Sequence, residues 1–264
     1  MPAFDGSSGS IHYEVREAAD PRAVVLFLHG FGEHGGLYQR YAEALNAAGI
    51  TLVTLDHRGH GRSEGPRGDV GSLDGLVADA ERLYELVVAD AAVPVVLQGH
   101  SLGSVVAAVL AIKHPAWQQA LVLSGAPLKP PVWLKEVLDT PGAQIDLDAE
   151  GLATDPDYLS WLENDPLAFT EADAVAAFRA SLIPGWNELS SGVSKIAVPT
   201  LIVHGADDEV APLEDTRQVA AQIPSSEVTV WERSRHDVLN DVEHAEVAAT
   251  IIDFIDRAIA SSAG

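Results

Sequence analysis

A chain of 264 residues, 47% hydrophobic and 21% charged, is long enough to bury one large core, and its composition excludes intrinsic disorder. The balance of 39 acidic to 16 basic residues gives a net charge of -23, which disfavours nucleic acid and strongly anionic membranes as partners and favours a neutral substrate. With no cysteine, disulfides, thiol catalysis and cysteine-bound metals are excluded.

Residues 10–16 alternate as a half-exposed strand would, and 5–9 supply the turn before it, so an edge hairpin is expected here. Residues 23–28 are continuously apolar, as in a parallel strand covered on both faces, and end at the glycine-bearing loop His29-Gly30-Phe31-Gly32-Glu33-His34. Tyr38, Tyr41, Ala42, Leu45 and Ala48 follow at helical spacing, with Gly49 as the stop. After a strand at 51–55 comes a loop, 56–65, dense in His, Asp and Arg. Its spacing fits neither a helix face nor a closed ligand set, so it reads as a solvated loop tied by Asp/Arg pairs and not as a metal site. Leu73, Leu76, Val77, Ala80, Leu83, Tyr84 and Val87 form one apolar helical stripe.

Residues 95–97 are a buried strand and 105–112 an apolar helix, which leaves Gly99-His100-Ser101-Leu102-Gly103 as the turn between them. This is a G-x-S-x-G elbow in its required strand–turn–helix context. So tight a reversal strains the backbone at Ser101, needs the flanking glycines for close approach, and aims the helix N-terminus at the serine. The Leu102 N–H is one candidate for stabilising an oxyanion there, and the Phe31 N–H the other.

After a strand at 120–123, residues 127–198 lose the strand–helix alternation and carry Pro130-Pro131, three of the five tryptophans and short amphipathic pieces. Thr170 with Asp173 reads as a capping box ahead of Val175, Phe178 and Leu182. A structureless loop of this length is implausible, so a helical cap is expected over a core formed by 1–126 and 199–264. Strands resume at 199–203 and around Val228–Trp231, and an amphipathic helix carrying Val247, Ile251, Phe254, Ile255 and Ala258 closes the chain.

A serine hydroxyl needs a base to take its proton and a carboxylate to orient that base. In this strand order the acid precedes the histidine. His236 lies just past the last strand, whereas His244 falls at helix spacing before Val247, so His236 is the base. Asp207, Asp208 and Glu209 are all placed to be the acid.

The motifs H-G-F-G-E-H at 29, D-H-R-G-H-G-R-S-E-G at 56, G-H-S-L-G at 99, N-D-P-L at 164, H-G-A-D-D at 204 and R-H-D-V-L-N at 235 resemble, in order and spacing, the monoacylglycerol lipase branch of the α/β-hydrolase fold. The resemblance implies a mostly parallel sheet flanked by helices, with a cap inserted before the last two strands. It places the acid at the fifth position of H-G-x-x-D, which is Asp208. It further implies hydrolysis of monoacylglycerols, with diacylglycerols as a further candidate, through an acyl-enzyme without cofactor or metal. An acyl tunnel, a narrower glycerol exit and a cap that touches lipid surfaces belong to the same expectation. Leu37, Glu163 and Val238 are the pocket positions it marks. A general carboxylesterase or lysophospholipase would use the same triad, and a catalytically silent binding protein the same fold. Leu37 stands where relatives often have Arg, Phe31 is larger than the residue common there, and Leu102 and Ser104 replace a frequent Met and Gly.

Met1–Asp5 shows neither a basic start nor an apolar run, and no stretch reaches the ~18 apolar residues of a membrane span, so a soluble, cytoplasmic protein is expected.

Overall fold

The computed structural model describes residues 2–145, 148–169 and 172–261. The chain runs through β1 (Ala3–Gly6), β2 (Gly9–Arg16), β3 (Ala23–Leu28), α1 (Gln39–Ala47), β4 (Ile50–Leu55), α2 (Leu73–Leu83), β5 (Val95–His100), α3 (Leu102–Lys113) and β6 (Ala120–Ser124). Four helices follow, α4 (Val132–Asp139), α5 (Ala149–Leu152), α6 (Pro156–Asn164) and α7 (Ala174–Gly192), before β7 (Thr200–Gly205), α8 (Leu213–Ala220), β8 (Ser226–Trp231) and α9 (His244–Ser261).

The strands form one sheet in the order β1-β2-β4-β3-β5-β6-β7-β8. β1 and β2 pair antiparallel, as do β2 and β4, and every other pair is parallel. The expected edge hairpin is present, and β1 takes in Asp5 and Gly6, which the sequence suggested as turn. Alternation along β3 shows how the sheet divides the core. Val24, Leu26 and Leu28 face the cluster containing α2, α3 and α7, while Ala23, Val25 and Phe27 face the one containing α1 and α9. Both sets are buried, which is why the strand reads as unbroken apolar sequence.

β4 leaves β3 on one side and β5 joins it on the other, so the order reverses at β3 and β5. Loops beyond the carboxyl ends of strands at such a reversal enclose a crevice. Residues 29–34 and Ser101 lie there.

The stretch 127–198 carries α4 to α7. A Cβ on Gly185 would come 2.3 Å from Val105 Cγ1, and one on Gly192 would come 3.1 Å from Ile112, so the second half of α7 lies directly on α3. The N-cap of α7 is Asp173, whose side chain accepts from the Ala176 N–H, and Thr170 of the expected capping box lies outside the described residues. Among the described residues, no helix is long and apolar enough to cross a membrane.

Candidate active site

Ser101 is the one non-glycine residue with positive φ among the described residues, at φ 49° and ψ -119°. Two close approaches hold it there. A Cβ on Gly99 would lie 2.1 Å from the Gly103 carbonyl oxygen, and a Cβ on Gly103 would lie 2.1 Å from that of Leu28. Only hydrogen fits at either place, so glycine on both sides of the elbow is a packing requirement. The Ser104 hydroxyl donates to the Ser101 carbonyl.

His236, on the loop after β8, brings Nε2 to 2.9 Å from Ser101 Oγ. Its Nδ1 lies 2.9 Å from Asp208 Oδ2 and 3.1 Å from Oδ1, which assigns the proton on Nδ1 and leaves Nε2 to accept. Of the three acids after β7, Asp207 and Glu209 are exposed and Asp208 is buried. Asp208 Oδ1 also accepts from the Val210 and Ala211 N–H groups, each at 2.9 Å, so the carboxylate is fixed before it meets the imidazole. Burial works to raise the Asp208 pKa, but His236, His204 and the Ala211 N–H together hold the carboxyl below its ordinary value. Burial likewise works to lower the pKa of His236, yet Asp208, with Asp237 and Glu33 further off, lifts it from 6.5 to about 9.

The Phe31 and Leu102 N–H groups have no acceptor among the described residues. Leu102 opens α3, where the first N–H groups lack intrahelical partners and the helix dipole is positive. Phe31 follows Gly30, and a Cβ on Gly30 would sit 3.1 Å from the Ser101 Cβ, so the loop after β3 reaches the elbow.

The space beside Ser101 is a chamber of about 30 Å³, lined in part by Phe31, Leu152, Phe178 and Val210. Phe31 packs edge-on against Phe169 and Phe178, with ring centroids 5.6 and 5.2 Å away, and the Phe169 N–H donates to the Gly32 carbonyl at 2.9 Å. None of the three marked pocket positions lines the chamber. Leu37 and Val238 are buried in the core cluster on the α1 and α9 face, and Glu163 is exposed on α6.

The loop 56–65 corrects the sequence reading in another way. Arg58–Asp69 and Arg62–Glu14 pairs exist at its rim, but Asp56, His57 and His60 are buried. The His57 N–H donates to His29 Nε2 at 2.9 Å, His57 Nε2 lies 3.1 Å from the His29 carbonyl, and His29 Nδ1 meets the Gly30 carbonyl at 2.7 Å. Burial lowers all three imidazoles, His29 well below 6.5, His57 to about 3 and His60 to about 4. They form a neutral packed floor under the Gly30–Phe31 loop.

Sequence reasoning missed the buried polar groups behind the elbow. His100 Nε2 lies 2.9 Å from Asp237 Oδ1, and its Nδ1 lies 3.1 Å from Ser124 Oγ. The Tyr158 hydroxyl, from α6, donates to Asp237 Oδ2 at 2.8 Å. Glu33 Oε2 accepts from the Gly30 N–H at 2.6 Å and from the Tyr38 hydroxyl at 2.7 Å. Burial, reinforced by the charge of Asp237, pushes the Glu33 carboxyl above its ordinary range, and burial first of all keeps both tyrosines protonated as donors. Glu33, His100 and Asp237 sat inside quoted motifs while Tyr38, Ser124 and Tyr158 did not, and neither spacing nor periodicity shows that distant segments share one buried network. His100, His236 and Asp237 also place one ligand-type atom each within 4.8 Å of one another. Those of His236 and His100 are already engaged, with Ser101 or Asp208 and with Asp237, so the set is better suited to internal bonding than to a cation.

Residues 19–243 match the family model described as serine aminopeptidase, S33. The chain is 30% identical over 268 residues to a monoacylglycerol lipase of Mycolicibacterium smegmatis, covering 96% of this chain and 95% of that protein. Its fold is similar to the crystal structure of the Paleococcus ferrophilus monoacylglycerol lipase, with TM-score 0.80 and 24% identity over 94% of this chain and 99% of that one. It is similar as well to a soluble variant of the Saccharomyces cerevisiae monoglyceride lipase solved with a substrate analogue, with TM-score 0.85 and 19% identity over 98% and 95% of the two chains. With its eight-stranded, mostly parallel sheet and flanking helices, the chain belongs to the serine aminopeptidase S33 family of α/β-hydrolases.

Proposed function

We propose that this protein is a serine ester hydrolase that cleaves monoacylglycerols to fatty acid and glycerol, with Ser101 as nucleophile, His236 as general base and acid, and Asp208 orienting the imidazole. The observation that carries the reading is Ser101 at φ 49° with Oγ 2.9 Å from a His236 Nε2 whose other nitrogen is held by a buried carboxylate. His236 takes the hydroxyl proton as Ser101 attacks the ester carbonyl, and the Phe31 and Leu102 N–H groups receive the charge on the carbonyl oxygen. Collapse releases glycerol with the proton from His236 and leaves an acyl-serine. Water, deprotonated by the same imidazole, then frees the fatty acid.

The name of the 30%-identical relative supports a monoacylglycerol substrate. The acidic surface favours that neutral head group over an anionic lysophospholipid. Phe31 and Phe178 line the chamber and Phe169 packs on Phe31, so we read these three rings as the gate that an acyl chain passes. We read α4 to α6 and the first half of α7 as the moving cap over a core formed by the remaining chain, with the cap meeting the lipid surface that presents the substrate.

The test compares hydrolysis of a neutral monoacylglycerol and a lysophospholipid of equal acyl length. The reading predicts preference for the monoacylglycerol and loss of both activities in Ser101→Ala. Preference for the lysophospholipid would contradict the assigned substrate, and an active Ser101→Ala would contradict the nucleophile.

A further inference from the structure

Glu33 is the acidic residue whose place invites a role beyond packing. Its side chain is buried, two residues from Phe31, and both of its anchored contacts converge on one oxygen. Oε2 accepts from the Gly30 N–H at 2.6 Å, on the near side of the loop after β3, and from the Tyr38 hydroxyl at 2.7 Å, on the far side. Tyr38 is itself fixed, with its ring edge-on to Phe27 at 4.4 Å inside the core. The carboxyl therefore ties the loop to a rigid post.

Successive backbone N–H groups in such a loop point in different directions. One that is bonded inward to Glu33 leaves the next, on Phe31, without an internal acceptor beside the chamber that contains Ser101. We infer that Glu33 is a positioning residue: by holding the Gly30 N–H, it sets the direction of the Phe31 N–H toward the carbonyl oxygen of the substrate. This rests on the serine-hydrolase reading above, because it assigns the Phe31 N–H its acceptor.

The clamp needs an acceptor and not a charge. Burial favours the neutral form of Glu33, and either form presents an oxygen to Gly30. The substitution Glu33→Gln would keep that oxygen, and Glu33→Leu would remove it at similar volume. A donor displaced by a fraction of an ångström to an ångström costs on the order of a hundredfold in rate, and it acts on the transition state more than on substrate binding.

The experiment measures kcat, KM and the inhibition constant of a trifluoromethyl ketone, which forms a tetrahedral adduct on serine, for the parent, Glu33→Leu, Glu33→Gln and Ser101→Ala. We expect Glu33→Leu to lose about a hundredfold in kcat with KM changed less than about threefold, inhibitor affinity to fall in parallel, and Glu33→Gln to stay within about tenfold of the parent. Parental kcat in Glu33→Leu, or equal losses in Glu33→Leu and Glu33→Gln, would overturn the clamp. Activity surviving in Ser101→Ala would instead overturn the hydrolase reading on which it rests. Amide hydrogen exchange on the parent protein checks the same contact without depending on the fold of Glu33→Leu. Gly30 should be protected and Phe31 should exchange at least about tenfold faster, and a Gly30 amide exchanging as fast as Phe31 contradicts the proposal.

Discussion

His236 Nε2 and Ser101 Oγ stand 2.9 Å apart across 135 positions of sequence, one on the loop after β8 and the other on the elbow between β5 and α3. The sheet makes that meeting possible, because parallel strands deliver both loops to the same edge. Asp208 joins them from the loop after β7. Replacing Asp208 with Asn would leave the shape intact but favour the wrong imidazole tautomer, and kcat is predicted to fall by about 10⁴. Steady-state kinetics on a soluble monoester check this, and a loss under about tenfold would place the orienting acid elsewhere.

The environment of His236 predicts the pH profile. Its pKa is raised, so the neutral base accumulates only as pH climbs, and kcat/KM should rise with pH through a midpoint above 6.5. Asp237 contributes to the shift. Asp237→Asn should therefore move the midpoint down, whereas a residue that only packs would change the amplitude and leave the midpoint in place.

The elbow glycines give a stability prediction. A methyl at position 103 would meet the Leu28 carbonyl oxygen at 2.1 Å, and backbone cannot swing aside as a side chain can. Gly103→Ala should lower stability by about 3 kcal/mol or more and displace Ser101, with activity falling alongside. Denaturant unfolding with unchanged midpoint would show that α3 yields more easily than its burial implies.

The strand pattern, the elbow and the order serine, acid, histidine were legible in the sequence because each depends on local chemistry. An apolar run, a pair of glycines and a strand end are short-range signals. The choice of Asp208 over Asp207 and Glu209 came only from the H-G-x-x-D pattern of the resemblance, since by local chemistry three adjacent acids differ only in which one the β7 turn buries. The His57 and His60 loop misled for a related reason. Polar residues on a glycine-rich segment usually face water, but here His29 and His57 bond each other and the backbone, and His60, bonded to the Arg58 carbonyl, packs beside them under the Phe31 loop. The resemblance marks Leu37 and Val238 as pocket positions, yet their side chains are buried in the core cluster on the α1 and α9 face.

That histidine floor makes the fold acid-sensitive. His29, His57 and His60 bind protons in the unfolded chain near pH 6.5 but resist them when folded, so the unfolded state gains protons first and stability falls as pH drops below 6.5. His236 acts in the opposite sense, with its contribution present below 6.5 and lost as pH rises toward about 9. Melting temperature should be lower at about pH 5 than at about pH 7.5, and His60→Gln should narrow the gap. A flat profile would contradict the burial of these rings.

Phe178 closes the chamber from α7, and Phe178→Ala should enlarge it and favour longer acyl chains. Each added methylene that becomes buried contributes about 0.8 kcal/mol, roughly fourfold in binding. Rates across a series of acyl lengths measure this. Identical chain-length profiles in parent and variant would remove Phe178 from the acyl path.

The most direct measurement is the initial rate on mono-, di- and triacylglycerols of one acyl length, with Ser101→Ala beside the parent. Dominant cleavage of the monoacylglycerol, abolished in Ser101→Ala, is the predicted result. Equal rates on all three lipids, or activity that survives the substitution, would contradict it.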